Sequence, residues 1–280
     1  MIFLHGTAMG ALVLAPILER LERVRVIVPE RPGHGLSPSA RIPRSGFQDA
    51  SIDWIDGVLD ALGLPGAVFA GHSMGGLWST WYAIARPERV EKLILVGGAP
   101  GLPHTSCPFP FRMLATPMLG ELIQALPSND AGLLRFARFF AEEETLKTHP
   151  DMIEMMVALD ADPITKRAVR SEVRAIISAS ALLQPRGWRR SPAVTDEELS
   201  RVEAPTLLLW GEREPLGGAE SAGRIAGILP DSQLEILDAG HVPWWGHPDV
   251  VARLILQFIS GHHDTASDRT EESDSAAGTL

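Results

Sequence analysis

Residues 67–76 read Ala67-Val68-Phe69-Ala70-Gly71-His72-Ser73-Met74-Gly75-Gly76, and Leu77 to Ala85 continue with helical character. An apolar run of four ends in a glycine-flanked serine, and a helix follows at once. This is the strand–turn–helix setting in which a G-x-S-x-G turn presents a serine as a nucleophile. The spacing has a physical reason. The serine sits on a tight, strained turn, and glycines two residues to either side let strand and helix approach closely. The helix N-terminus then offers main-chain N–H groups to developing negative charge. Ser73 is therefore the expected nucleophile. An ordinary glycine-rich turn is the plainer alternative. A phosphate loop is rejected because no G-K-[ST] follows.

Working outward, short apolar runs alternate with helical patterns. Ile2-Phe3-Leu4 ends in His5-Gly6, Val24 to Val28 is a second run, and Leu93-Ile94-Leu95-Val96 follows the serine. Between them Phe47, Ile52, Ile55, Val58, Leu59 and Leu62 recur at helical spacing. Short buried strands alternating with helices imply βαβ units and a mainly parallel sheet. From Gly101 to Ser200 no convincing strand is visible. Pro117 interrupts one apolar stripe there, which predicts two helices, the second capped by Thr116. Asp162-Pro163 reads as another helix start, and Thr195 with Glu198 has capping-box spacing. Strand character returns at Thr206 to Trp210 and Leu234 to Leu237, and a last helix begins near Pro248. The domain reading is an α/β core of residues 1–100 and 201–260 with a helical cap at 101–200. By position the cap lies over the strand ends, where α/β proteins bind ligands.

A serine hydroxyl needs a base. His241, in Asp238-Ala239-Gly240-His241, lies on a loop between a predicted strand and the last helix, at the same end of the sheet as Ser73. The acid is expected between Ser73 and His241 in chain order, after a strand. Glu214, in Trp210-Gly211-Glu212-Arg213-Glu214-Pro215, fits best, and a surface loop carboxylate is the bland reading. An oxyanion hole needs two main-chain donors. Met74 N–H and Thr7 N–H are the expected pair. Trp244 and Trp245 are candidates to line the acyl pocket. Trp78 and Trp81 read as core packing, His34 as a turn-fixing residue, and His72 as structural. Of Phe109, Phe111, Met113, Met118, Phe139 and Phe140, some must face the cleft, which favours a substrate with an apolar part.

His5-Gly6, Arg31-Pro32-Gly33-His34-Gly35-Leu36-Ser37, Gly71 to Gly76, Trp210-Gly211 and Gly240-His241 stand in the order seen in the α/β-hydrolase superfamily. The chain resembles that family over about residues 1 to 260, and residues 101–200 resemble its cap. The resemblance implies an α/β-hydrolase fold, a covalent acyl-enzyme on Ser73, no metal and no organic cofactor. Two departures stand out. Glu214 replaces the family's more common Asp and is longer by one methylene. The family usually has two further strands before the one ending at His5-Gly6; either Met1 is internal to a longer gene product, or the sheet is shortened and Val24 to Val28 becomes an exposed edge able to pair with a second copy.

The 280 residues include 45% hydrophobic and 21% charged side chains, the profile of a globular protein. A net charge of −10 argues against sequence-independent binding to nucleic acid. No apolar run reaches the roughly 18 residues of a membrane span. No secretory signal is visible, and the one cysteine, Cys107, fits a reducing cytoplasmic setting. Residues 261–280 carry five acids and one arginine, and read as a disordered acidic tail. The expected function is hydrolysis of a carboxylic ester, thioester or lactone, on a small-molecule substrate, by a monomer or homodimer. Two other readings remain: a carbon–carbon bond hydrolase with the same three residues, and a non-catalytic or truncated relative.

Overall fold

The computed structural model describes residues 1–38, 45–178, 180, 182, 187–189 and 192–261. The expected acidic tail, beyond Gly261, lies outside the described residues. Among these residues the sheet has five strands in the order β1 (Ile2–Leu4), β2 (Ala67–His72), β3 (Val90–Val96), β4 (Thr206–Gly211) and β5 (Ser232–Leu237). All four neighbouring pairs are parallel. One cross-sheet row runs Phe3, Ala70, Ile94, Leu207 and Gln233.

Because strand side chains alternate between faces, the continuous apolar runs build two separate cores. Ile2, Leu4, Phe69, Leu93, Leu95, Leu208 and Trp210 pack on one face, with α2 (Phe47–Ala61), α3 (Met74–Ala85) and α11 (Ala219–Ile228). Phe3, Ala70, Ile94, Val96, Leu207 and Leu209 pack on the other, with α1 (Ala15–Leu18) and α13 (Pro248–Ser260). Trp78 and Trp81, each 1% exposed, meet the Phe47 ring edge-on in the first core, as the sequence suggests.

Two expectations are corrected. The run Val24 to Val28 forms a single bridge, Ile2 to Ile27, and not a strand. Phe3 N–H donates to Ile27 O and Ile27 N–H to Met1 O, both at 2.9 Å. With only three residues of β1 beside it, the run has too few ladder partners to extend further. Thr116 does not cap a following helix. It ends α4 (Phe109–Ala115) and returns its hydroxyl to Arg112 O at 2.9 Å. The next helix, α5 (Leu119–Gln124), starts from Met118 at φ 65°. Pro117 thus lies between two helices, where its missing N–H costs nothing.

The chain between β3 and β4 continues through α6 (Asp130–Arg138), α7 (Glu143–Lys147), α8 (Pro150–Ala161) and α9 (Pro163–Ile176). Asp162 caps α9 by accepting Thr165 N–H at 2.6 Å, with Pro163 in the first turn. After an isolated antiparallel bridge, Ile177 to Trp188, that the sequence did not suggest, Thr195 and Glu198 form a reciprocal capping box on α10 (Asp196–Leu199). A short α12 (Pro243–Gly246) precedes α13. No helix among the described residues is long and apolar enough to cross a membrane.

The start of α3 packs on β1 without room for a side chain. A Cβ on Gly75 would overlap the Leu4 carbonyl oxygen, which is main chain and cannot swing aside. Gly75→Ala is expected to destabilise the fold by about 2–4 kcal/mol. Urea unfolding followed by circular dichroism measures this, and an unchanged midpoint would contradict the packing.

Candidate active site

Ser73 lies between the end of β2 and the start of α3, with φ 52° and ψ −118°. A positive φ on a residue with a Cβ is strained. The turn is held because a Cβ on Gly71 would overlap the Gly75 carbonyl, just as one on Gly75 would overlap Leu4. The two glycines of the motif therefore mark two main-chain approaches. Ser73 is 8% exposed and lines a mainly apolar cavity together with His241. A smaller second lobe shares Thr7, Ser73 and Phe111 with the first. Among the described residues, none bonds to the Ser73 hydroxyl. In unliganded sites that bond is often long.

His241 and Glu214 are joined and buried. Nδ1 of His241 lies 2.9 and 2.8 Å from the two Glu214 oxygens. A carboxylate only accepts, so Nδ1 carries a proton, and in the neutral ring of that tautomer Nε2 keeps its lone pair. Glu214 also accepts Gly98 N–H at 2.6 Å and Leu216 N–H at 3.1 Å. The extra methylene of Glu214 is accommodated by a gap the sequence reading missed. Gly97 and Gly98 follow β3, and a Cβ on Gly98 would lie 2.9 Å from the Glu214 carboxyl carbon. The Gly97-Gly98 pair at the end of a predicted strand was the available signal.

The His241 main chain is gripped from both sides. Its N–H donates to Phe140 O at 3.0 Å. Its carbonyl accepts Nε2–H of His72 at 3.0 Å. Burial holds His72 well below the usual imidazole range, with the neighbouring His241 acting in the same direction, so His72 serves as a neutral donor. Thr7, Ser73 and Met74 all line the second lobe. Neither the Thr7 nor the Met74 main-chain N–H has an acceptor among the described residues.

Of the two tryptophan candidates, Trp245 lines the larger lobe. Trp244 does not. It is fully buried, packs on Phe3 and His72, and donates to Val13 O at 3.0 Å. Adjacent residues on one turn of helix point to different sides, and the second core claims Trp244. Phe111 and Phe140 face the cavity, whereas Phe109, Met118 and Phe139 are exposed. Phe136, which the sequence reading did not single out, completes the apolar wall.

Glu142 was also missed. It is 2% exposed, lines the larger lobe, and accepts Val242 N–H at 2.7 Å, next to His241. Burial pushes its carboxyl up to about 7, against the pull of the Val242 N–H and the His241 ring. The run Glu142-Glu143-Glu144 looks like a solvated start of a helix, which hid it.

The family model for the alpha/beta hydrolase fold matches residues 1–248, so the chain belongs to the α/β-hydrolase family, and it is a hydrolase. It is 26% identical over 272 residues to the 2-hydroxy-6-oxononadienedioate/2-hydroxy-6-oxononatrienedioate hydrolase of Burkholderia vietnamiensis, covering 92% of this chain and 86% of the relative. Its fold is similar to that of a meta-cleavage product hydrolase from Pseudomonas fluorescens, with a TM-score of 0.73, 21% identity, and 94% and 90% of the two chains covered. It is likewise similar to a thermophilic esterase from Thermogutta terrifontis, with a TM-score of 0.71, 23% identity, and 94% and 89% covered.

The raised Glu142 gives a pH signature. The unfolded carboxyl ionises near 4.5 and the folded one near 7. Between these values the unfolded chain releases the proton first, so stability is full below 4.5 and falls as pH rises through 7. The difference corresponds to about 3 kcal/mol. Glu142→Gln keeps an acceptor for Val242 N–H and has no charge to bury. Its stability relative to wild type is expected to improve by about that amount between pH 4.5 and 8. A gap that stays flat across this range in denaturant titrations would refute the assignment.

Proposed function

We propose that the protein is a serine hydrolase that cleaves uncharged, largely apolar carboxylic esters, or the related thioesters and lactones, through an acyl-enzyme on Ser73. The observation that carries this is the buried Glu214–His241 pair, opening onto the same cavity as the strained Ser73. In this reading Ser73 attacks the carbonyl carbon and His241 Nε2 takes its proton. Glu214 holds the ring tautomer and stabilises the imidazolium as it forms. Thr7 and Met74 N–H groups bind the oxyanion. His241 then passes the proton to the leaving oxygen, and water repeats the sequence to release the acid. Residues 101–200 act as a cap whose helices wall the cavity and exclude water.

The same catalytic residues could serve carbon–carbon cleavage, and the named activity of the Burkholderia relative is on a dienedioate. The cavity argues for a different substrate here. No lysine or arginine lines either lobe among the described residues, and the added ionisable group is an acid, Glu142. A dianion would enter an apolar space without a cation to meet it, which is costly. Val242, after His241, also departs from the Trp that many such hydrolases place there.

Two measurements test the reading together. Ser73→Ala is expected to lower kcat on p-nitrophenyl butyrate by at least about 10³-fold. Wild type is expected to prefer that ester over a 2-hydroxy-6-oxo-dienedioate by about 100-fold or more in kcat/KM. Wild-type rates from Ser73→Ala would remove the nucleophile, and a preference for the dienedioate would replace the ester with the diketone.

A further inference from the structure

A fully buried ion pair joins the α/β core to the helical insertion and leads directly to the loop that holds Thr7. Arg31 and Glu172 are each 0% exposed. Arg31 comes from the Arg31-Pro32-Gly33-His34-Gly35 loop, and Glu172 from α9. The Arg31 guanidinium bonds Glu172 Oε1 through one arm and lies 3.5 Å from Oε2 through the other. It also stacks over Trp78, 5.0 Å from the ring centre. Burial pushes His34 down to about 4, so the neighbouring ring, 3.6 Å from Glu172, is neutral and Arg31 is the cation that faces this acid.

Burying such a pair removes two charges from water, and two apolar side chains of similar size would hold the helix as well or better. The pair does something apolar residues could not. Glu172 Oε2 accepts the Thr7 hydroxyl at 3.1 Å. Arg31 Nε–H donates to His5 O, and its own N–H donates to His5 Nε2, both at 3.0 Å. The three-residue loop His5-Gly6-Thr7 is therefore held at its start by Arg31 and at its end by Glu172. A β-branched side chain has few rotamers. Fixing the Thr7 hydroxyl thus fixes the backbone of Thr7, which lines the second lobe together with Ser73.

We propose that Glu172, acting through the Thr7 hydroxyl and braced by Arg31, is a positioning residue that aims the Thr7 main-chain N–H at the oxyanion. The proposal rests on the serine hydrolase reading above. It adds a side-chain role where only a main-chain one was expected. It also ties the chemistry to substrate fit. Val173 and Ile176 of the same helix, and Ile177 just beyond it, wall the second lobe. A substrate whose apolar part fills that lobe presses on the helix that aims the donor. Such contacts act on the transition state, and not on ground-state binding alone.

The test is steady-state hydrolysis of p-nitrophenyl butyrate by Thr7→Val, Thr7→Ser and Glu172→Gln. Thr7→Val keeps the shape and loses only the hydroxyl. It is expected to lower kcat about ten-fold, with KM within about two-fold and a native circular-dichroism spectrum at the assay temperature. Thr7→Ser is expected to restore most of the rate. The double variant Thr7→Val/Glu172→Gln is expected to be no slower than the slower single variant, because both act on one bond. If Glu172→Gln does not fold, the Thr7 pair alone decides. A Thr7→Val enzyme with wild-type kcat overturns the proposal, as does a loss confined to KM, or single-variant losses that multiply. Ser73→Ala separates the two levels: activity in that variant defeats the hydrolase reading, whereas an inactive Ser73→Ala beside a normal Thr7→Val defeats this inference alone.

Discussion

The main chain of Leu4 occupies the place where a side chain on Gly75 would begin. That close approach sets the start of α3 against the end of β1, and several features depend on it. Ser73 is forced into its positive-φ turn because the chain must pass from β2 into a helix whose position is already fixed. The same approach brings the first N–H of α3, on Met74, near the loop that leaves β1, on Thr7. The proposed nucleophile and its two proposed donors are thus brought together by backbone contact before any polar side chain is considered. Such preorganisation lets a site stabilise new charge without rearranging when it forms.

His241, the proposed general base, is held by a second set of main-chain contacts. Gly97 and Gly98 leave room for both the His241 carbonyl and the Glu214 carboxyl. Phe140 and Glu142 of the insertion accept the N–H groups of His241 and Val242. Glu172, also from the insertion, reaches the other side of the site at Thr7. The helical block touches both halves of the machinery, so it is more than a cover. Its two buried acids differ in character. Glu172 is matched by an arginine, whereas Glu142 has no basic partner bonded to it among the described residues and is pushed toward its neutral form.

Much of this was legible in the sequence because it rests on local rules. The glycines around Ser73, the loop setting of His241 and the caps at Asp162 and Thr195 need only a few neighbouring residues to be recognised. Glu214 followed from chain order. What escaped depends on tertiary contact. Trp244 and Trp245 are adjacent, chemically alike and both buried, and only the packing of Trp244 on Phe3 and Val13 leaves Trp245 to line the cavity. The Val24 to Val28 run has strand composition, but a strand also needs a neighbour of matching length. Glu172 falls between Val169 and Val173 on the apolar stripe of α9, and a charged residue on a buried stripe was the one sequence sign that it had a partner. Glu142 gave no such sign among three consecutive glutamates.

The central claim is that Ser73 forms a covalent bond with its substrate, and chemical trapping tests it most directly. Native protein treated with a fluorophosphonate, digested and read by tandem mass spectrometry is expected to carry the adduct on Ser73 alone. Heat-unfolded protein is expected to carry none, because the serine then has neither His241 nor the two main-chain donors. An enzyme that hydrolyses esters while Ser73 stays unmodified, or that takes the adduct elsewhere, would contradict the account.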